Sequence, residues 1–152
     1  MPVDVNVLKT ISIFEDICEA NLHKLSSIIC PLRVCEEEML TRRGIPATNL
    51  YIVTSGNFMA FFKGGQSVTL HNKGDVIGWS SIITPFRYKG SSVALTDGEV
   101  LCIPSRKLLR LVRENSELAT KLIQKINTVI QNRLPFVNGQ PVVENETVRH
   151  AA

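Results

Sequence analysis

Long apolar runs are missing from this sequence, and so is the pattern of a secretory signal. No stretch approaches the roughly 20 apolar residues that a membrane-spanning helix needs. The opening MPVDVNVLKT lacks the basic region followed by an apolar core that marks a signal peptide. These absences argue against the membrane and secreted classes, and we expect a soluble, cytoplasmic protein that does not bind a membrane.

Residues that perform metal or catalytic chemistry are also scarce. The histidines are scattered, and the cysteines form none of the close C-x2-C pairs that bind zinc. Neither a G-x-S-x-G elbow nor an H-E-x-x-H helix is present. We therefore predict no metal, no cofactor and no catalytic residue, and we do not expect an enzyme. The cysteines are expected to be reduced and mostly buried: Cys18, Cys30, Cys35 and Cys102.

A strong excess of one charge is absent as well. The net charge of +3 on 152 residues is too small to indicate nucleic acid as a partner. The hydrophobic share of 44% and the charged share of 20% are near globular averages, which argues against wholesale disorder. A chain of this length suffices for one domain with its own core.

What the sequence does have is a change of pattern along the chain. Leu22, Leu25 and Ile28 recur at helical spacing and predict a short N-terminal helix that ends before Pro31. From about 32 to 104, runs rich in Val, Ile, Phe, Tyr and Thr are broken by turn signals roughly every 8 to 12 residues. That spacing is typical of a β-sandwich or jelly roll, so we predict an α+β fold that is mainly β.

The helical period returns after residue 104. The run SRKLLRLVREN predicts one short helix, and a longer helix follows it within 105–134. Because proline removes a backbone donor, we expect the longer helix to end at Pro135. The sequence thus predicts a domain over 1–134 and a flexible tail over 135–152.

The longer C-terminal helix carries an apolar stripe wider than one docking face needs. Two interpretations stay open. The stripe can form the seam of a homodimer, as in a coiled coil, or it can pack on the β-structure of its own chain. The residues proposed for the dimer interface are Leu118, Leu122, Ile126, Val129 and Ile130.

The segment GDVIGWSSIITPFRYKGSSVA, residues 74–94, is the candidate binding loop. Its second glycine suits positive φ or a close backbone approach, and WSSII can form one helical turn whose free N–H groups suit an anion. The plainer interpretation is structural: Trp79 is a core anchor, Ser80 caps the turn and Arg87 is solvated. The candidate ligand-binding residues are Gly78, Trp79, Ser80, Ser81, Arg87, Tyr88, Ser91 and Ser92.

Three stretches, GIPATNLYIVTSGNF, HNKGDVIGW and SSVALTDGEVLCIP, resemble the cyclic nucleotide-binding domain family. The likeness covers roughly 8–134, and Gly44, Gly56, Gly74 and Gly78 fall where the structural glycines of that family fall. The family includes the catabolite activator protein and the regulatory subunits of cAMP-dependent kinase. The resemblance implies an eight-stranded β-roll, between a short N-terminal and a long C-terminal helix, that senses a ligand in signal transduction.

Two ligand-anchoring positions of the family are changed in this sequence. The glutamate that accepts from the ribose 2′-hydroxyl is replaced by Trp79, whose indole nitrogen is a donor only. The position of the phosphate-binding arginine falls on Tyr88, with Arg87 one place earlier. The resemblance therefore implies a small anionic or nucleotide-like effector other than cAMP. The patterns GWSS and PFRY also resemble a prokaryotic subgroup that lacks the glutamate.

Two functions follow as hypotheses. The first is a stand-alone ligand-sensing regulatory domain with its effector in loop 74–94. The second is a degenerate domain without a ligand, which acts as a dimerisation or protein-docking module through its C-terminal helix. Members of the family that are transcription factors continue into a helix-turn-helix. Only a short tail follows Arg133 here, so we expect no direct nucleic-acid binding.

Overall fold

A computed structural model describes residues 2–83 and 86–137 of the chain. The helical elements are α1 (Val5–Leu8), a 3-10 turn (Ser12–Phe14), α2 (Glu19–Ser26), a second 3-10 turn (Trp79–Ile82), α3 (Ser105–Glu114) and α4 (Ser116–Val137). The strands are β1 (Cys30–Val34), β2 (Met39–Thr41), β3 (Asn49–Ser55), β4 (Phe58–Phe62), β5 (Ser67–Leu70), β6 (Val76–Ile77), β7 (Gly90–Ala94) and β8 (Gly98–Pro104). None of the helices in these described ranges combines the length and hydropathy of a bilayer-crossing segment.

The eight strands form two four-stranded antiparallel sheets, which confirms the predicted β-roll. The first sheet has the order β1-β8-β3-β6, and the second has the order β2-β7-β4-β5. The register of the first sheet is set by the long β3–β8 pair, in which Leu50 lies opposite Ile103 and Ile52 lies opposite Leu101. β1 is therefore an edge strand, with β8 as its partner.

The central strands of the first sheet, β3 and β8, are largely buried on both faces, and their side chains alternate between the two faces. Leu50 and Ile52 of β3 pack with the helices, in a cluster that we call the outer core. Tyr51 and Val53 pack between the two sheets, in a cluster that we call the inner core. The outer core also holds Leu101, Ile103, Trp79, Leu108, Leu118, Leu122, Ile126 and Ile130. The inner core also holds Val34, Phe58, Ala60, Phe62, Val68, Leu70, Ile77, Ala94, Val100 and Phe136.

The two ends of the domain differ from the prediction. Besides the predicted α2, the N-terminal segment forms α1, which begins where Asp4 Oδ1 accepts a hydrogen bond of 2.8 Å from Asn6 N. At the other end, α4 does not stop at Pro135 but continues to Val137. The proline removes one backbone donor, yet Phe136 is buried in the inner core and holds the last turn in place. The rest of the predicted tail, 138–152, lies outside the described residues.

Of the two arrangements left open for the stripe on α4, the structure shows packing within the chain. Leu118, Leu122, Ile126 and Ile130 are at most 9% exposed and belong to the outer core. Val129 is half-buried and packs against the same cluster. Four of the five residues proposed for a dimer interface therefore offer no surface to a second copy while α4 is in this position.

The expectation that most cysteines are buried is wrong. Cys18, Cys30 and Cys35 are exposed, and Cys102 is half-buried. Their places in the fold explain this: Cys18 precedes α2, Cys30 begins the edge strand β1 and Cys35 follows its end. Only Cys102 lies in a central strand.

Candidate ligand site

The start of the predicted loop forms a tight connection to β3. Gly74 N donates to Val53 O over 2.8 Å, and Val53 N donates to Asp75 O over 2.8 Å. The strand β6 follows, and Gly78 then takes φ of +81°. A Cβ on Gly78 would lie 2.9 Å from Asn49 O and 3.0 Å from Tyr88 Cε1, so both φ and space require glycine here.

The 3-10 turn after Gly78 directs its side chains into the protein. Trp79 is 4% exposed and belongs to the outer core, which agrees with its interpretation as a core anchor. Ser80 and Ser81 are buried as well. Ser81 Oγ is one of the buried polar side-chain atoms for which the described part of the chain provides no hydrogen-bond partner.

A cavity of about 20 Å³ lies beneath this turn, at the end of the inner core. That volume holds about one water molecule. Five of the eight predicted ligand residues line it: Gly78, Trp79, Ser80, Tyr88 and Ser92. The other lining residues are Thr41, Ala60, Phe62, Lys89, Gly90 and Arg133.

The polar wall of the cavity is tied to the strands. Tyr88 OH donates to Asn49 O over 2.8 Å and accepts from Asn49 N over 3.1 Å. Burial raises the pKa of Tyr88, so the phenol keeps its proton and remains a donor. The Thr41 hydroxyl is hydrogen-bonded to Ser92 Oγ at 2.9 Å and to Gly90 O at 3.0 Å. Hydrogen bonds to the strands therefore hold these groups in place.

Three predicted ligand residues lie outside the cavity. Arg87 is exposed, and its Nη1 donates to Gly44 O over 2.8 Å. Because neighbours in extended backbone point to opposite sides, an inward Tyr88 places Arg87 outward. Ser91 likewise points away from Ser92 and accepts from Arg43 N over 3.0 Å. Ser81 is buried but does not line the cavity.

The cation that does line the cavity is Arg133 of α4, which the sequence analysis did not single out. Arg133 is 2% exposed, and its guanidinium donates to Val76 O. Burial lowers its pKa to about 10, against the opposing effect of the nearby Asp75 carboxylate, so it remains charged at neutral pH. The spacing along α4 could have indicated its burial, because Arg133 continues the buried series of Ile126 and Ile130 on one helix face.

Asp75 and Arg133 influence each other. Burial raises the pKa of Asp75, while the hydrogen bond of 2.9 Å from Asn72 N and the charge of Arg133 act in the opposite direction. One turn beyond Arg133, Phe136 is 8% exposed and packs in the inner core. The end of α4 thus places a cation in the cavity wall and an aromatic ring in the inner core, and we call this end of the β-roll, marked by Arg133 and Phe136, the mouth of the roll.

The model of the cyclic nucleotide-binding domain family matches residues 31–115, which is more than half of the chain. Among curated proteins, the anaerobic regulatory protein of Bacillus subtilis is 30% identical over 119 residues. That match covers 74% of this chain and 50% of the relative, so the chain spans about half the length of that protein.

Solved structures agree in fold. A putative cyclic nucleotide-binding protein from Geobacter metallireducens superposes with a TM-score of 0.79 at 20% identity, over 87% of this chain and 98% of that one. The sensor domain of the transcriptional regulator DNR from Pseudomonas aeruginosa gives a TM-score of 0.70 at 17% identity, over 93% of this chain and 100% of that one.

Proposed function

Because the chain belongs to the cyclic nucleotide-binding domain family, we propose that it is a non-enzymatic regulatory domain that senses a small anion. The effector binds in the cavity beneath loop 74–94 and displaces the end of α4. The observation that carries this proposal is the buried guanidinium of Arg133 in the wall of that cavity.

The chemistry of the lining favours an anion other than cAMP. Arg133 supplies a positive charge, and Ser80 and Ser92 supply hydroxyl groups. No carboxylate is among the described residues that line the cavity, so a charged acceptor for a ribose hydroxyl is missing there. Trp79 stands at the family's glutamate position and donates only. The site suits a ligand with more acceptors than donors.

The size of the cavity requires a movement on binding. Ligand pockets usually enclose about 300–1,000 Å³, far more than the space found here. Tyr88 is tied to β3 through Asn49, and Ser92 lies on β7 and bonds to Thr41, whereas Arg133 and Phe136 lie on α4. Pro135 lacks the N–H that would bond to Gln131 O, so the last turn of α4 is held less firmly than the turns before it.

The two positions of this last turn are close in free energy. Exposing Phe136 costs about 1.5–3 kcal/mol of apolar burial. Exposing Arg133 returns to water a charge whose burial is unfavourable, as the lowered pKa shows, and this offsets part of that cost. An effector that pairs with Arg133 shifts such a balance, and a partner protein or a second copy can then recognise the displaced helix.

A titration tests the proposal, with fluorescence of the single tryptophan, Trp79, and thermal unfolding as readouts. The ligands are cAMP, cGMP, other nucleotides, inorganic phosphate and simple carboxylates. At about 100 times its dissociation constant, a true effector adds about 2.7 kcal/mol of stability, which is several degrees in a domain of this size.

Two variants sharpen the titration. Arg133→Met keeps the length of the side chain and removes its charge, and it abolishes the shift. The matched control Arg87→Ala removes an exposed arginine outside the cavity and leaves the shift intact. A shift lost with Arg87→Ala but kept with Arg133→Met would contradict the assignment of the site.

The second candidate is the degenerate module, and the one-water cavity favours it. In that case, Arg133 and Phe136 fill the mouth of the roll permanently, and the protein acts through a protein partner or a second copy. If none of the anions produces a thermal or fluorescence shift, that result supports this alternative. Light scattering then decides whether the partner is a second copy: a mass of one chain excludes the homodimer.

A further inference from the structure

Two cysteines face each other across the edge of the first sheet. In the antiparallel pair of β1 and β8, Cys30 lies directly opposite Cys102. Residues opposite each other in such a pair point to the same face of the sheet, with Cα atoms about 4.5–5.5 Å apart. This range lies within the roughly 4.4–6.8 Å that a disulfide requires between Cα atoms.

The two thiols differ in how easily a reagent reaches them. Cys30 is exposed, at the first residue of the edge strand. Cys102 is half-buried in the central strand β8, and burial, followed by the proximity of Cys30, raises the pKa of its thiol. Cys30 is therefore placed to react first, and Cys102 is placed to react second, as the resolving thiol.

We propose that Cys30 and Cys102 are a redox modification site that closes to a disulfide in response to a peroxide. The Cys30 thiolate attacks one peroxide oxygen, the O–O bond breaks, and sulfenic acid and hydroxide form. The Cys102 sulfur then attacks the sulfenic sulfur, the S–O bond breaks and water leaves with the Cys102 proton. Two thiols and one hydrogen peroxide thus give one disulfide and two waters.

The exposed position of Cys30 makes this disulfide reversible. Cβ atoms of directly opposite residues are about 4.5–5.5 Å apart, whereas a disulfide holds its Cβ atoms about 3.5–4.5 Å apart. Closure therefore brings the exposed first residue of the edge strand closer to β8. Strained and exposed disulfides are the ones that thiols reduce most readily.

The other two cysteines provide matched controls. Cys18 and Cys35 are exposed like Cys30, but both lie outside the strands. Cleavage after Lys and Arg separates all four thiols, since the tryptic peptides 10–24, 25–33, 34–42 and 90–106 contain one cysteine each. A cross-linked peptide therefore identifies its two cysteines without ambiguity.

The test treats the full chain with one equivalent of hydrogen peroxide, blocks the remaining thiols with iodoacetamide and digests without reductant. Mass spectrometry is expected to show peptide 25–33 joined to peptide 90–106, two hydrogen atoms lighter than their sum and separated by dithiothreitol. The non-reducing gel shows a single-chain mass. Cys30→Ser and Cys102→Ser each abolish the cross-link, and the double control Cys18→Ser/Cys35→Ser retains it.

Several results would overturn the proposal. One is a cross-link that includes Cys18 or Cys35, and another is a disulfide between two chains. A third is oxidation of Cys30 to sulfinic acid while Cys102 stays alkylated by iodoacetamide. Because Cys30 is exposed, we expect Cys30→Ser to fold even if Cys102→Ser does not fold. Thermal unfolding supplies a second readout. Peroxide raises the Tm of the wild type and of the Cys18/Cys35 control but not that of Cys30→Ser.

Discussion

The two faces of the first sheet serve different purposes, although the same strands build both. On the outer face, Leu50 and Ile52 pack against helices in an apolar cluster. On the inner face, the cluster ends in a small cavity with hydroxyl groups and the buried charge of Arg133. Apolar contacts are non-directional, so the outer core depends mainly on how well its volume is filled. A buried charge, in contrast, needs a specific partner. The outer core therefore stabilises the fold, and the cavity beside Arg133 is the place where we propose that a ligand changes it.

The largest expected effect comes from the outer core. Leu118→Ala removes a side chain with 0% exposure and lowers the free energy of unfolding by about 2–5 kcal/mol, because a cavity remains. Urea denaturation measures the change. Ile123→Ala on the same helix, at 40% exposure, is the control and costs far less. Equal losses for the two variants would mean that α4 does not pack in this orientation.

The next prediction separates backbone strain from steric contact at Gly78. Gly65→Ala places a side chain at φ of +82° with nothing within 4 Å, and costs about 1–2 kcal/mol of backbone strain. Gly78→Ala has nearly the same φ but meets Asn49 O, so overpacking adds about 1–3 kcal/mol. The difference between the two unfolding free energies measures the close approach. A smaller loss for Gly78→Ala would contradict it.

A smaller effect is expected where Tyr88 ties the cavity wall. Tyr88→Phe removes the hydroxyl that bonds both Asn49 N and Asn49 O, and costs about 1–3 kcal/mol. Burial raises the pKa of Tyr51, in the inner core, to about 12, while a hydrogen bond with the Asn49 side chain acts in the opposite direction. Tyr51→Phe is therefore the comparison variant, and we expect it to lose less unfolding free energy, as measured by urea denaturation.

The smallest effect depends on pH and concerns Asp75 beside Arg133. The folded pKa of Asp75 is raised above its ordinary value, mainly by burial, so the folded state binds the proton more tightly than the unfolded state. Ionisation therefore costs stability as the pH rises from the ordinary value through the raised pKa. Asp75→Asn avoids this cost, and its stability relative to wild type should increase over that window. A pH-independent difference would show that Asp75 does not titrate as described.

Much of the site was predictable from local patterns, and the exceptions share one cause. Gly78 was predictable because its conformation is a property of the backbone at that position. The directions of Arg87 and Tyr88 were not, since a shift of one residue exchanges inside and outside in extended chain. Arg133 was missed because a cation on an apolar helix face has meaning only when its neighbours across the fold are known.

The sequence by itself determined the order of elements, the β-roll and the positions of its structural glycines, since alternation, helical period and turn chemistry are local properties. Only the tertiary structure decided which side of α4 faces its own chain, that Pro135 does not end the helix and that Arg133 and Phe136 reach the mouth of the roll. It also decided that Cys30 lies opposite Cys102, although the two cysteines are far apart in the chain. Such contacts join residues far apart in the chain, and their geometry comes from packing that no local pattern contains.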